Sequence, residues 1–489
     1  MVNVAAVEVV LAVWAVAVAV LFRAVGPRRA SLVAILGGLV LLPRVGMMVG
    51  PAPFDKRTAT GLGLILGVLL FDRRALRGAR ARWLDLPMAA FALAPLIGLA
   101  TGGPAATADV VDLAIQRGLG WIVPYIIGRL YFGDAEGARS VAVAAVSAGL
   151  VNIPICLYEE AAGPARYLSG LLYGTPYMAG MVDRLGGYRP EGFFSSGLEL
   201  ASWMALTSTL ATWLWLGGRW RPRRIPAWLP ALALIATTLS CRGVYGYLLL
   251  AVGVATAWLT GFLRTRWLVV ALLILPVAYI AARTSGAWDG RLLARGADLT
   301  GRESTVGFRL AAEDELIRRV MGRDLVFGFG NYVWHSEGLR WPDGQWLHLL
   351  WNGGLVGLAA STGALYLVPA ALALAHPRGR PGRSEALSTA WGLALWCSLH
   401  ALDGLHNNGH LTPTALIGGS LVGLYLTRRS APKPDAPAGR REVADPPRPN
   451  FALIATIALL VAIEVLGCQS RGPANDEGKV QPGVGPPRR

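Results

Sequence analysis

Gly301-Arg302-Glu303-Ser304-Thr305, Arg309, Leu325-Val326-Phe327-Gly328-Phe329-Gly330 and Asp343-Gly344-Gln345-Trp346-Leu347 mark out a polar stretch, 283–345, of about 60 residues. Apolar runs at 267–282 and 346–375 bracket it, each long enough to cross a bilayer. A hydrophilic insertion between two such runs describes a chain that leaves lipid, builds a loop and returns. The reading that follows is an all-α integral membrane protein, because a helix satisfies its own backbone in lipid and no short alternating segments suggest a β-barrel.

Composition points the same way. Apolar residues are 54% of the 489 and charged residues only 16%, with a mean hydropathy of +0.47; a soluble chain of this size is more polar. The net charge of +16 is almost all arginine, since Lys56, Lys433 and Lys479 are the lysines. In a soluble protein that excess suggests nucleic acid; here it sits in short loops between apolar runs, where membrane topology accounts for it and no nucleic-acid partner is needed. Cys156, Cys241, Cys397 and Cys468 lie singly in or beside apolar runs, without metal-ligand or disulfide spacing. No cleavable signal is evident, and 4–22, followed by Arg23, Arg28 and Arg29, reads as a first span with its N-terminus outside.

Further spans are expected at 31–50, 58–71, 86–101, 113–132, 140–157, 198–217, 226–241, 243–263, 267–282, 346–375, 385–402, 413–427 and 451–467, a bundle of about 12–14 transmembrane helices. The run 346–375 is long enough for a half-buried entry helix plus a span. Every second loop is basic: 23–30, 72–85, 133–139 (weakly), 218–225, 264–266, 376–384 and 428–450. Cytoplasmic loops carry that excess, so alternation places the long loops 158–197 and 283–345 outside. Residues 1–427 form the membrane domain, 428–450 a flexible linker, 451–467 a further span and 468–489 a disordered tail.

Charged groups at membrane depth are costly and mark candidate sites. Arg242, in Thr238-Leu239-Ser240-Cys241-Arg242-Gly243 between two apolar runs, is either a hairpin arginine reaching for head groups or a planar fork held against a phosphate. Arg189, in Tyr188-Arg189-Pro190-Glu191-Gly192-Phe193-Phe194, is a second phosphate contact or a partner of Glu191 or Glu199. Arg302 and Arg309, seven apart, share a face if the helix starting near Ser304 extends back that far. Asp343 stands where the chain re-enters lipid, able to accept a proton from a hydroxyl or merely to cap the next helix. Trp346 beside it suits an interface or a sugar face. Glu313, Asp314 and Glu315 against Arg318 and Arg319 read as surface pairing along one helix. His348, and the group His400, His406, His410 and Asp403, match no standard metal site. Gly328-Phe329-Gly330 lacks the strand, helix and third glycine of a nucleotide loop.

Taken together, these segments resemble the O-antigen ligase and O-antigen polymerase superfamily of bacterial envelope proteins. The matching features are Ser240-Cys241-Arg242-Gly243, the Arg-Pro-x-Gly-Phe-Phe turn at 189–194, Arg309 followed by Val326-Phe327-Gly328-Phe329-Gly330, a polar residue before Leu347, and Gly354-Leu355-Val356-Gly357-Leu358. They span roughly 110–427 in the expected order. Ligases of the family usually carry His-Asn where this chain has Asp343-Gly344, and Ser where it has Cys241, which favours a polymerase or a related ligase.

The resemblance implies a multi-pass glycosyltransferase of the cytoplasmic membrane that works on its outer side without metal or other cofactor. Its donor would be a glycan on undecaprenyl pyrophosphate, its acceptor a hydroxyl of a second glycan, a lipid or a protein. Asp343, Arg309 and Arg242 would be catalytic, Arg189, Arg302 and Trp346 would bind pyrophosphate or glycan, and the loop 283–345 would be the active-site loop. Fixed guanidinium groups would stabilise the departing diphosphate as a metal does elsewhere. The rival reading is a polysaccharide flippase, which needs charges along a path through both leaflets; the candidates here gather on one side.

Overall fold

The computed structural model describes residues 3–50, 52–78, 81–101, 107–177, 182–220, 225–292, 303–323, 325–330, 343–374, 382, 386–409 and 411–430. The expected linker from 431, the span 451–467 and the tail lie outside these residues, as do Arg302, Trp341 and His410.

Helices occupy the expected spans up to 413–427 in whole or in part. They are α1 (Val4–Val25), α2 (27–41, with a π turn at Val33–Gly37), α3 (Lys56–Phe71), α4 (Leu86–Thr101) and α5 (107–131, with a π turn at Gly118–Ile122). There follow α6 (Ala135–Ala162), α7 (Gly197–Leu216), α8 (Trp228–Ser240), α9 (Val244–Leu263) and α10 (Trp267–Thr284). The last are α11 (Glu303–Arg323), α12 (Gln345–Leu374), α13 (Thr389–Asp403) and α14 (Thr412–Ser430). Six described segments, Val4–Val25, Trp83–Ala100, Val110–Tyr131, Ala135–Ala162, Val244–Leu263 and Trp267–Thr284, are long and apolar enough to cross a membrane.

The sequence reading needs two adjustments. The run 31–50 is helical only to Leu41, after which Met47–Val49 (β1) and Ala52–Phe54 (β2) pair antiparallel. The expected linker begins later than 428, since α14 continues to Ser430.

Side chains at the helix starts define the ends locally. Asp55 accepts from the Arg57 and Thr58 amides while Thr58 reaches back to the Asp55 amide, closing a capping box on α3. Asp134 accepts from Gly137 at the start of α6. At the centre runs α7, buried along almost its whole length and packed against α6, α8, α9 and α13. Its hydroxyls tolerate that burial because Thr207, Ser208 and Thr212 donate to carbonyls of their own helix, and Ser208 also meets Thr238 of α8 at 2.8 Å.

The helices alternate in direction, so the connections fall into two sets. One set holds 72–85, 132–134, 217–227 and 264–266, where Arg73, Arg74, Arg77, Arg82 and Arg264 are exposed. The opposite end gathers the described parts of the other connections, 42–50, 52–55, 163–177, 182–196, 241–243, 285–292, 343–344 and 404–409. Contacts between distant segments tie that end together: Asn3 donates to the Tyr173 carbonyl, Lys56 to Phe193, Arg189 to Arg242 and Tyr245 to Leu402.

The helix α12 is interrupted at Gly354, whose φ of 57° and ψ of −156° leave the helical region. The segment 325–330 fills the break. Leu355 and Val356 donate to the Leu325 and Val326 carbonyls at 2.9 and 3.1 Å, and Phe329 donates to the Trp351 carbonyl at 2.7 Å. A Cβ at position 354 would overlap the Val326 carbonyl, so glycine is required there both for the dihedral and for the approach. The run 346–375 is thus two helices that meet at a kink at Gly354, a short entry helix and a longer one, as its length suggested.

Elsewhere α5 and α14 pack backbone to backbone: a Cβ at Gly419 would overlap the Tyr125 carbonyl. Gly419→Leu is therefore expected to force these helices apart and cost about 1–3 kcal/mol or more, read as a fall of several degrees in the unfolding midpoint of the detergent-solubilised protein. Gly307→Ala, in α11 with nothing near its Cβ position, is expected to leave that midpoint unchanged or higher.

Candidate functional site

The site lies at the end where the long connections gather. Its centre is an ion pair, Arg309 Nε to Asp343 Oδ2 at 2.8 Å, between side chains 30% and 48% exposed. Arg309 comes from α11 and Asp343 from the turn before α12, so the pair exists only because α11 docks correctly.

Two features dock it. Leu316, Ile317 and Val320 bury against Trp346, Leu347, Leu350 and Trp351 of α12. On the other side the buried Arg283 of α10 holds Glu313 at 3.1 Å and Asp314 at 2.9 Å, and the Tyr279 hydroxyl donates to Glu313 at 3.0 Å. Burial pushes the Glu313 carboxyl above the usual range, opposed by the Arg283 charge. This corrects the surface-pairing reading: Glu315 does pair with Arg318 and Arg319, but Glu313 and Asp314 join two helices.

The first amides of α12 already have acceptors, Gln345 on the Asn407 carbonyl at 3.1 Å and Trp346 on the Gly404 carbonyl at 3.3 Å. The carboxylate of Asp343 is instead engaged by Arg309. Nearby, the His406 ring meets Tyr245 edge-on at 5.6 Å and Tyr279 at 5.9 Å. His406 belongs to the connection between α13 and α14; burial, with the Arg309 charge second, pushes its pKa down to about 4. It is therefore a neutral ring at pH 7. Behind it Asp403 accepts from Ser202 at 2.8 Å and from Asn407 at 2.6 Å. Asn408 and His348 are 3.0 Å apart. Among the described residues no group of His, Cys, Asp and Glu could hold a metal.

Trp346 does not offer a face to solvent. It is 3% exposed, packs edge-on against Tyr279 at 6.1 Å and has no acceptor for its indole N–H among the described residues. With Gln345 and His400 it lines a small, largely apolar pocket.

Arg242 and Arg189 belong to a second group, around the loop 163–196. The Arg242 backbone is left-handed, φ +49°, at the hairpin between α8 and α9. Its Nη2 pairs with Glu160 at 2.9 Å and its Nη1 donates to the Leu185 carbonyl at 2.8 Å. Arg189, buried, donates to the Arg242 carbonyl at 3.0 Å. These two arginines pin the short hairpin β3 (Asp183–Arg184) and β4 (Gly187–Tyr188) over the bundle. Arg242 and Arg309 lie at the same end and share no partner among the described residues.

Sequence reasoning missed several residues here. Glu159, fully buried, gathers the amides of Leu168, Glu191 and Gly192 on one carboxylate. Arg44 pairs with Glu191 at 2.5 Å in a buried bridge. Lys56 is buried under Phe194 and donates to the Leu39 and Phe193 carbonyls. The available signal was charge inside or beside an apolar run, which Glu159 and Lys56 both show.

No protein-family model, curated protein or solved structure matches the chain; the resemblance to O-antigen ligases and polymerases stands on its motifs.

The depressed pKa of His406 has a testable sign. The unfolded chain takes up a proton near pH 6.5 and the folded one only near 4, so acid favours unfolding and stability is lost as pH falls through that window. Between pH 7 and 5 the wild type is expected to lose a few degrees more of its thermal midpoint than His406→Gln. Equal losses would show that the ring protonates freely in the fold.

Proposed function

We propose that the chain is a membrane glycosyltransferase that moves a glycan from an undecaprenyl-pyrophosphate carrier to an acceptor hydroxyl at the outer side of a bacterial cytoplasmic membrane, in the manner of an O-antigen polymerase or ligase. The observation that carries this reading is the half-exposed Arg309–Asp343 pair at the end of the bundle where the long connections meet. The arginines exposed at the opposite end support assigning that end to the cytoplasm.

In this reaction the acceptor oxygen attacks the anomeric carbon, its proton passes to Asp343, and the bond from that carbon to the diphosphate oxygen breaks. Negative charge builds on the leaving group. Arg309 orients the carboxylate at rest and offers its guanidinium to the diphosphate as the carboxylate takes up the proton. The neutral His406 ring and the Tyr245 ring border the pair without competing for the acidic role. Arg242 and Arg189 contribute by holding the 183–188 hairpin at the same end of the bundle. Phe327 to Gly330, locked into the break of α12, fixes the far end of the same loop.

Purified protein given a labelled lipid-linked glycan is expected to transfer it, with or without chelator. Arg309→Ala is expected to cost on the order of 3 kcal/mol of barrier, about a hundredfold in rate, and Asp343→Ala and Asp343→Asn at least as much. Transfer at the wild-type rate by the Asp343 variants would overturn the assignment of the base; a wild type that transfers no glycan would overturn the function.

A further inference from the structure

At the end of the bundle with short connections, α4, α5 and the short helix Arg73–Gly78 enclose a half-open cleft of about 520 Å³. Small-molecule sites in proteins span roughly 300–1,000 Å³, so the cleft has room for a ligand. Its walls are mostly apolar: Leu76 on the short helix, Met88 and Ala89 on α4, Ile122, Ile126 and Leu130 on α5. Leu76, Ala89 and Ile126 are exposed there. Water gains nothing from such walls, whereas a hydrocarbon chain does.

The polar part of the lining is one cluster around Asp85. Its Oδ1 accepts from the Tyr125 hydroxyl at 2.8 Å, its Oδ2 accepts from the Arg82 amide at 2.8 Å, and Arg129 pairs with the same oxygen. That carboxylate is therefore fully engaged and its charge is matched. Asp72, the other acid of 72–85, accepts from the Tyr131 hydroxyl at 3.1 Å. Against these two carboxylates the same connection exposes Arg73, Arg74, Arg77 and Arg82. Arg77 follows Leu76 in the chain and Arg82 follows Ala81, and both Leu76 and Ala81 line the cleft. An apolar interior thus opens beside an excess of guanidinium groups.

We propose that this cleft binds an anionic glycerophospholipid of the surrounding leaflet, with an acyl chain between α4 and α5 and the head-group phosphate held by Arg77 and Arg82. Forked guanidinium donors suit phosphate oxygens, and basic pockets between membrane helices favour anionic over zwitterionic head groups. A lipid seated there joins the 72–85 connection to α5 through its own chain. The site rests on the reading of the long apolar helices as membrane spans and not on the transferase reading.

The test is native mass spectrometry of the full-length protein, stripped of lipid in detergent and titrated with phosphatidylglycerol or phosphatidylcholine of identical chains. Wild type is expected to bind its first phosphatidylglycerol about fivefold or more tighter than phosphatidylcholine, and the double variant Arg77→Gln, Arg82→Gln to bring the two within about twofold. Ala89→Trp, which fills the cleft from an exposed position, is expected to weaken the first site for both lipids by about tenfold or more. Its thermal midpoint without lipid is expected to match that of wild type, while the rise that phosphatidylglycerol gives wild type disappears. Ile126→Trp enters the cleft from the opposite wall and decides the matter should Ala89→Trp fail to fold. Ile274→Trp, at a position of α10 that is 58% exposed, is expected to change neither affinity. Equal binding of the two lipids by wild type would overturn the head-group assignment. A first lipid held as tightly by Ala89→Trp and Ile126→Trp as by Ile274→Trp would overturn the site.

Discussion

A guanidinium taken out of water must meet a counter-charge or an equivalent set of acceptors, because an unpaired buried ion costs several kcal/mol even after relaxation. The whole of one end of this bundle is arranged around that requirement. Arg44 reaches Glu191, Arg242 reaches Glu160 and Arg283 reaches Glu313, each partner standing in a different helix or connection. Such pairs add little net stability compared with apolar packing; what they add is a unique arrangement, since any other register strands a charge. The connections also bury apolar side chains, Tyr173 and Phe193 among them, so the ion pairs add register to packing.

The chain of dependence leads to the site. Arg283 fixes Glu313, which sets α11 against α10; the apolar face of α11 then meets α12 through Leu316 and Val320. Only in that position does Arg309 reach Asp343. The same α12 is kinked at Gly354 and admits the segment 325–330 there, so the chain that leaves α11 is held against the helix pair that Asp343 precedes. A loop held in this way presents a carboxylate and a guanidinium in a fixed relation, which is what a proton transfer beside a departing anion requires.

Much of the scaffold was legible in the sequence, because apolar runs of membrane length leave few alternatives to helices. Runs such as 243–263 and 267–282 returned as α9 and α10 almost residue for residue. The strands after Leu41 were not legible, since Met47–Val49 is as apolar as the span before it and only the turn at Gly50 separates it from its partner. Arg309 and Asp343 were legible as a charge in a loop and a charge at a point of re-entry. The partners of Arg242 were not: Glu160 and Leu185 are more than fifty residues away in sequence, and no local pattern encodes such a contact. Glu313 misled for the same reason, because its spacing to the following arginines satisfies the rule for surface pairs while its partner comes from another helix. Trp346 misled because a tryptophan at an interface and one in a core look alike in one dimension.

The two ends of the molecule answer the cost of arginine differently. At the end with short connections Arg23, Arg29, Arg74 and Arg77 stand exposed, and water supplies what they need. At the other end carboxylates supply it, at the expense of holding loops rigid. Arg117 has no carboxylate partner among the described residues: it is buried, rests on the Phe91 ring and feels the like charge of Arg57. A ring offers a guanidinium about 0.5–2 kcal/mol, less than burial removes, so the ring alone does not account for the residue's position. The π turn that follows Arg117 lies just where the Arg57 side chain crosses α5, so the stem of one arginine packs on the distorted turn that the other precedes.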